Sequence, residues 1–301
     1  MSKDNVEANV EVAEMYCASC GITEVDDIKL NKCNDCGLAR CDKCQIDHLP
    51  PKYEQLRRQQ AAELRDEILF RQPESTHLGD CPICCLPLSL IFEENTLCSC
   101  CSTTICNGCD YASQKRELEE KLEPACPFCR RPVPKKEEEN LKFQTNTMKR
   151  AKANDPVATI QLSRWRYGEG DYVGAFEYIV KAAEQGDVDA YTHLSHLYRE
   201  GLGVEKDEKN GLYYLEEAAI AGHPSARYNL AGYEWDNERY DRAVKHFIIA
   251  ANLGYDKAIQ GLKDCYKDGH VSKEEFAAAL RAHQAAVDAT KSPQRETAAK
   301  A

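Results

Sequence analysis

The sequence predicts two small cysteine-rich modules followed by an all-α solenoid of helix-pair repeats. The 301-residue chain contains 17 cysteines, and most of them stand in Cys-x-x-Cys pairs that precede residue 130. After residue 155, alanine, leucine and glycine recur at spacings of 32, 36 and 32 residues. A chain of this length has room for two or three domains.

Cysteine pairs define the second module, which extends from residue 78 to 134. It contains three Cys-x-x-Cys pairs and a central group of three cysteines: Cys81/Cys84, Cys106/Cys109, Cys126/Cys129, and Cys98, Cys100 and Cys101. Two Cys-x-x-Cys turns together hold one zinc ion through four thiolates, at about 2.3 Å each. The stretch therefore offers enough thiolates for two zinc ions, with one thiol to spare.

The composition favours metal sites over disulfide bonds. The opening stretch MSKDNVEANVEVAE is polar and acidic rather than an apolar signal segment. We therefore expect a reducing compartment, cytoplasmic or nuclear, in which cysteines serve as metal ligands. We expect no membrane association, because the longest apolar runs fall short of the ~20 residues that a span requires. A net charge of −11 disfavours nucleic acid and favours protein partners.

The first module, residues 13–52, follows a predicted disordered tail at 1–12. It offers seven potential ligands, again paired: Cys17, Cys20, Cys33, Cys36, Cys41, Cys44 and His48. The pattern favours a second cross-braced unit, with the first and third pairs on one zinc and the remaining three ligands on another. An eighth ligand is missing, so Asp47 or a water could complete the second site, or the site could stay empty. The whole chain is thus expected to bind three to four structural zinc ions.

The cysteine order in the second module resembles that of a RING finger. In that family the first and third ligand pairs share one zinc and the second and fourth share the other, which implies cross-braced sites. The resemblance places Cys81, Cys84, Cys106 and Cys109 on one ion, and Cys126 and Cys129 with two of the central three on the other. Cys101 is the firmer choice, and Cys98 could join it in a Cys-x-x-Cys turn, because the adjacent Cys100 and Cys101 would strain to reach one metal. Which two of the three cysteines are ligands stays open at this point. The first module resembles a MYND finger, with B-box-like spacing.

Two helical segments flank the second module. Residues 53–73 contain strong helix formers without glycine before Pro73, which predicts a charged connector helix. A dimerising coiled coil is the alternative for this segment. Residues 135–154 are predicted to form a charged linker.

Two sequence columns define the repeats in residues 155–289. Ala-x-x-x-Leu recurs at Ala158/Leu162, Ala190/Leu194, Ala226/Leu230 and Ala258/Leu262. Ala-Ala-x-x-Gly recurs at Ala182-Ala183/Gly186, Ala218-Ala219/Gly222 and Ala250-Ala251/Gly254. Small alanines allow close helix packing and glycine ends the second helix of each pair. With the loop GLGVEKD, the repeats resemble the Sel-one-like class of tetratricopeptide repeats. The last helices are expected to cap the solenoid, before a disordered tail at 290–301.

Other aromatic and histidine residues of the repeats are assigned to packing. Trp165 falls in the same column as Leu197 and Tyr233, which predicts a core role. Trp235 lies in a predicted turn and is an alternative exposed anchor. His193 and His196 could in principle share a metal, but ordinary packing or surface roles are favoured because no third ligand is in view.

The RING resemblance also implies a function. RING ubiquitin ligases bind a ubiquitin-conjugating enzyme through an apolar residue in the first zinc loop, a proline in the second, and a cation after the last cysteine. Ile83, Pro127 and Arg130 match these positions. A tryptophan common before the final pair is missing, and Tyr111 is a weak substitute. Two functions follow: a ligase without a covalent nucleophile that selects substrate through the repeats, or a non-catalytic adaptor. No catalytic residue is predicted in either.

Overall fold

A computed structural model of the chain describes residues 30–32, 39–41, 51–133 and 139–301. The chain divides into two compact units, Met1–Ile68 and Leu69–Ala301. In the first unit, strands β1 (Leu30–Lys32) and β2 (Ala39–Cys41) pair antiparallel, with Leu30 opposite Cys41. The other ligands predicted for the first module lie outside the described residues: Cys17, Cys20, Cys33, Cys36, Cys44 and His48.

Helix α1 spans Pro51–Leu69. Leu69, the first residue of the second unit, is 1% exposed and packs among buried alanines and leucines of the repeats. The fully buried guanidinium of Arg227 donates hydrogen bonds to the carbonyl oxygens of Leu69 and Arg71. Because the last carbonyls of a helix lack intrahelical partners, Arg227 supplies a donor for the carbonyl oxygen of Leu69.

The second cysteine module is built from one short hairpin and one helix. A 3-10 turn at Phe92–Glu94 leads into strands β3 (Asn95–Cys98) and β4 (Thr103–Cys106), which pair antiparallel with Asn95 opposite Cys106. Helix α2 (Asn107–Glu119) follows directly. The buried core consists of Leu88, Ile105 and cysteines. The hairpin therefore brings sequence-distant cysteines together around very little apolar material.

An α-solenoid forms the rest of the second unit. Its helices are α3 (Glu139–Lys152), α4 (Pro156–Gly168), α5 (Tyr172–Glu184), α6 (Val188–Glu200), α7 (Glu208–Ile220), α8 (Pro224–Asp236), α9 (Tyr240–Asn252), α10 (Asp256–Lys267) and α11 (Lys273–Ala289). Part of the predicted linker 135–154 is thus helix α3. None of the helices in the described part of the chain combines the length and apolarity of a membrane span.

Alanine and leucine columns form the core of the solenoid. Most members are at most 1% exposed: Ala190, Leu194, Ala226, Leu230, Ala258 and Leu262. The second helices of the repeats end before glycines with positive φ, at 81° for Gly186 and 85° for Gly222 and Gly254. In the long loop between α6 and α7, Gly203 has φ 71°, and a Cβ there would collide with the carbonyl oxygen of Tyr172. Glycine at these turns is therefore a backbone requirement.

The carboxy-terminal segment corrects one expectation from the sequence. Residues 290–301 were expected to form a disordered tail, but helix α12 spans Pro293–Ala298. Ser292 caps it by accepting a hydrogen bond from the Arg295 backbone N–H, and Pro293 stands in its first turn. Helix α12 packs against α2 of the cysteine module. Tertiary contact therefore orders a polar segment that shows no hydrophobic periodicity of its own.

Candidate metal centres

The first cysteine cluster combines a knuckle with the end of the hairpin. The knuckle is closed by hydrogen bonds from the Cys81 N–H to the Leu86 carbonyl, at 2.9 Å, and from the Cys85 N–H to the Cys81 carbonyl, at 2.8 Å. Cys106 ends β4, and Cys109 lies in the first turn of α2. The hairpin and the start of α2 thus bring together the two cysteine pairs that the RING resemblance places on one ion.

The geometry of this first cluster fits a tetrahedral ion. The sulfur atoms of Cys81, Cys84, Cys106 and Cys109 all lie within 4.8 Å of one another. The Cys84 and Cys106 sulfurs are 3.8 Å apart. Zinc–sulfur bonds of about 2.3 Å give a tetrahedron with edges of about 3.8 Å. The four thiols can therefore hold a zinc ion, which would be a closed structural site without room for an activated water.

The second cluster repeats this construction. The Cys126 N–H donates to the Arg131 carbonyl at 2.8 Å, and the Arg130 N–H donates to the Cys126 carbonyl at 3.0 Å. Sulfur–sulfur distances are 3.3 Å for Cys100 and Cys129 and 3.9 Å for Cys101 and Cys126. All four sulfurs lie within 4.8 Å of one another. This donor set also fits a tetrahedral zinc ion.

The cluster differs from the sequence expectation in one ligand. Adjacent Cys100 and Cys101 share the cluster, whereas Cys98 is not among its four members. The chain turns sharply after β3, where the Cys101 N–H donates to the Cys98 carbonyl at 3.1 Å and Ser102 has φ 54°. With this tight turn, both adjacent thiols reach the same cluster. Cys98 is buried beside the cluster and forms a side-chain hydrogen bond with Cys126.

Arg295 of helix α12 contacts the first cluster from the far end of the chain. Its guanidinium donates to the carbonyl oxygens of Pro87 at 2.6 Å and Leu86 at 3.2 Å, and to the Cys84 sulfur at 3.4 Å. Burial raises the pKa of Cys84, but hydrogen bonds from the Leu86 backbone and from Arg295 outweigh it and lower the pKa to about 7. Arg295 therefore favours the thiolate that a zinc ion requires.

Arg150 of helix α3 contacts the loop that carries Cys100 and Cys101 of the second cluster. It donates to the Ser102 hydroxyl at 2.7 Å and to the Cys100 carbonyl at 3.4 Å. The same guanidinium pairs with Asp155, the N-cap of α4. Both clusters are thus hydrogen-bonded by an arginine from the helical part of the chain. Sequence reasoning missed both arginines, because neither stands near a cysteine in the sequence.

The residues that match the RING docking positions lie on the two knuckles. Ile83 is 42% exposed in the first knuckle, and in the second Phe128 is 47% exposed beside a half-buried Pro127. Arg130 is exposed and has φ 61°. Large apolar side chains that face solvent are consistent with a contact surface.

A third group, His77, Asp189 and His223, does not fit a metal. Both histidine Nε2 atoms face Asp189 Oδ1, at 3.1 Å from His77 and 3.5 Å from His223. The imidazole rings stack with centroids 4.1 Å apart and planes 18° apart, so their in-plane lone pairs do not converge on one ion. His223 Nδ1 accepts the Ala226 N–H as an N-cap, which leaves its hydrogen on Nε2.

This third group is instead a structural clasp. Burial opposes ionisation of Asp189, but hydrogen bonds from His223 and His77 outweigh it and hold its pKa below the usual range. The backbone N–H of His77 also donates a hydrogen bond to the Gly222 carbonyl oxygen at 3.1 Å. The clasp therefore fixes the segment before the cysteine module to the second repeat.

Comparison with known proteins identifies the helical region. The Sel1 repeat family matches residues 156–187, 188–223 and 224–255. These ranges coincide with the helix pairs α4–α5, α6–α7 and α8–α9. The chain therefore carries three Sel1 repeats, and the predicted solenoid of helix pairs is confirmed for this region. Such repeats suggest a role in protein–protein interaction.

Individual relatives cover limited parts of the chain. The chitin synthase regulator SKT5 of Saccharomyces cerevisiae is 33% identical over 69 residues, which is 23% of this chain and 10% of that protein. A Sel1 repeat protein from Oxalobacter formigenes is 25% identical with a TM-score of 0.41, covering 49% of this chain and 64% of that one. A protective antigen of uropathogenic Escherichia coli with an SLR fold is 26% identical with a TM-score of 0.42, covering 49% and 33%.

Proposed function

We propose that the chain is a zinc-binding scaffold protein that brings protein partners together, with a RING-type cysteine module as one docking surface and the Sel1 repeats as another. The finer part of the proposal is that the module recruits a ubiquitin-conjugating enzyme and the repeats recruit a substrate. The chain would then act as a RING-type ubiquitin ligase.

The observation that supports the ligase most directly is the pair of exposed knuckles. Ile83 and Phe128 expose apolar surface on two loops that the same cysteine module positions. Zinc at the two clusters would supply only rigidity, because four thiolates complete each coordination sphere. The chain's own residues would do the rest. Ile83 and Pro127 would contact the conjugating enzyme, and the Arg130 guanidinium would hold ubiquitin against it.

The proposed ligase needs no nucleophile of its own. The conjugating enzyme carries ubiquitin as a thioester, and an amine of the substrate attacks it. Binding the thioester and the substrate to one scaffold makes the attack effectively intramolecular. This can lower the activation free energy by several kcal/mol. The rigid contacts of Arg295 and Arg150 with the module would preserve that geometry.

A non-catalytic adaptor is the second candidate function. It is favoured by the missing tryptophan before the final cysteine pair, where Tyr111 is half-buried. The similarity to a protein named as a regulator of chitin synthase also favours it, although that similarity covers 23% of this chain. As an adaptor, the chain would hold one partner on the cysteine module and another on the repeats.

An autoubiquitination assay with the full chain, ubiquitin-activating enzyme and a panel of conjugating enzymes tests the ligase. We expect ubiquitin chains with the wild type, none with Ile83→Ala, and fewer with Arg130→Ala. Ile91→Ala is the matched control, because Ile91 is 51% exposed on the same module but outside the docking motif. A wild type inactive with every conjugating enzyme would leave the adaptor as the function. Ubiquitin chains that still form with Ile83→Ala would overturn the role of Ile83 as the docking residue.

A further inference from the structure

A cavity of about 610 Å³ opens at the amino-terminal end of the solenoid, between helices α3, α4 and α5. Met148, Leu162, Trp165 and Tyr178 form the apolar part of its lining. Cavities of roughly 300 to 1,000 Å³ with such linings are typical of ligand-binding sites. We call this cavity the α3–α5 pocket.

Trp165 departs from the closed packing of the alanine and leucine columns. The sequence column predicts a core role, but Trp165 is only half-buried and lines the pocket. Its ring is 6.2 Å from that of Phe143, at an angle of 57°. Leu197, in the same column of the next repeat, is 1% exposed. Tyr233, in the same column of the third repeat, is 37% exposed. The first repeat therefore leaves a large aromatic surface accessible, whereas the second repeat buries the equivalent side chain.

The charged part of the pocket lining is mainly basic. Lys152, Arg166 and Lys181 are accompanied by a single acidic lining residue, Glu169. Glu169 pairs with Arg166 at 3.5 Å. Within the described part of the chain, no carboxylate lies within 4 Å of the amino group of Lys152 or Lys181. Lys181 instead lies over the Tyr178 ring, 5.5 Å from its centroid.

This local excess of positive charge belongs to a chain with a net charge of −11. Lys152 and Lys181 have no carboxylate partner among the described residues, and they line the same pocket as Trp165 and Tyr178. Such a lining is complementary to carboxylates that flank an apolar side chain. A nucleic acid fits poorly, because its affinity depends on many phosphate contacts and the pocket offers few cations. Amides of Gln144, Asn154 and Gln185 also line the pocket and can pair with an extended peptide backbone.

We propose that the α3–α5 pocket binds an acidic peptide segment of a partner protein. An apolar side chain of the peptide packs on Trp165, and its carboxylates pair with Lys152 and Lys181. The proposal rests on the proposed scaffold function, since it specifies the chemistry of the partner that the repeats recruit.

Tryptophan fluorescence provides a direct assay. The chain has two tryptophans, so Trp235→Phe leaves Trp165 as the one reporter. The probe is a pool of ten-residue peptides with a central leucine or phenylalanine between randomised Asp and Glu positions. We expect a saturable change in Trp165 fluorescence that weakens as salt is raised. A pool with Lys and Arg in place of Asp and Glu should give no change. A flat response to the acidic pool at millimolar concentration would overturn the proposal.

A charge-matched pair of variants locates the binding. Lys152→Glu with Lys181→Glu should weaken peptide binding by about tenfold or more. Lys257→Glu with Lys263→Glu changes the net charge equally at exposed positions of α10, and it should leave binding within about twofold. Equal losses in the two pairs would show that the pocket is not the site.

The outcome is independent of the ligase assay. Ile83→Ala lies in the cysteine module and should leave peptide binding unchanged. Peptide binding without formation of ubiquitin chains would contradict the ligase function and support the peptide site. Formation of ubiquitin chains without peptide binding would support the ligase function and contradict the peptide site.

Discussion

The cysteine module buries few large apolar side chains, mainly Leu88 and Ile105, beside its thiols. The Sel1 repeats, in contrast, bury rows of alanine and leucine that continue from one helix pair to the next. A unit of under 60 residues gains little free energy from apolar burial. The comparison therefore predicts two sources of stability in one chain: metal coordination by the cysteine clusters in the module and helix packing in the repeats.

Removal of metal should produce the largest difference in stability between the cysteine module and the repeats. Each structural zinc contributes on the order of 10–16 kcal/mol to folding, so a chelator should unfold the module and leave the repeat helices folded. Hydrogen exchange should show lost protection in α2 and retained protection in α8 and α9.

Single cysteine variants sharpen this prediction. Cys126→Ser should lose one zinc ion, whereas Cys85→Ser should keep the full number, because Cys85 is exposed and outside both clusters. Repeat helices that unfold together with the module would contradict the division into two sources of stability.

A core truncation in the repeats should have the converse effect. Leu194 is 1% exposed, so Leu194→Ala should lower the free energy of unfolding of the repeats by about 2–5 kcal/mol. Thermal unfolding followed by circular dichroism measures the change, and the zinc content at 25 °C should not alter. Val173→Ala, at a side chain that is 60% exposed, should cost no more than about 0.5 kcal/mol.

Arg295 connects the two regions, and its loss should have an intermediate effect. Partners that orient metal ligands typically change metal affinity by about 10–100-fold. Arg295→Ala should weaken zinc at the first cluster by that factor and leave the second cluster unchanged, as measured by competition with a chelator. Arg295→Lys should restore part of the affinity. Lys291→Ala is the control, because Lys291 is exposed and pairs with Asp288; an equal effect there would rule out the role of Arg295.

The smallest expected effect is a pH dependence from His246. Burial and the nearby Arg227 and Arg242 lower the pKa of His246 to about 3. Folding therefore disfavours its protonated form, so stability should fall as the pH drops below the unfolded pKa of about 6.5. Between pH 7.5 and pH 6 this contribution amounts to about 1 kcal/mol.

The variant His246→Leu should remove the contribution of His246 to the pH dependence of stability, which appears as a slope of stability against pH. Both ring nitrogens of His246 lack a hydrogen-bond partner among the described residues, so replacement by an apolar side chain should also be neutral or stabilising at pH 7.5. Denaturant unfolding at the two pH values measures the difference. His283→Leu should retain the slope, since His283 pairs with Asp256 at the surface. An unchanged slope in His246→Leu would contradict the assignment.

The repeats could be predicted from the sequence because their contacts repeat. Ala190 and Leu194 are buried as Ala226 and Leu230 are. The pattern found in one repeat therefore predicts the packing of the next. The grouping of Cys81, Cys84, Cys106 and Cys109 is the one that the resemblance to a RING finger implies. Contacts made once over a long distance leave no such pattern. Arg295 meets Cys84 across 211 residues.

Local backbone geometry was equally inaccessible from the sequence. The choice of Cys100 over Cys98 depends on the turn at Ser102, which spacing alone does not specify. Trp165 shares a sequence column with Leu197, yet Trp165 lines the α3–α5 pocket. The clasp of His77, Asp189 and His223 joins three segments that carry no common motif.

Native mass spectrometry of the full chain tests the central claim, that paired thiolates bind zinc, most directly. We predict three or four bound zinc ions, loss of one ion in Cys100→Ser, and no loss in Cys98→Ser. A folded chain without zinc, or one whose mass is lower by the hydrogens lost to disulfide bonds, would contradict the account.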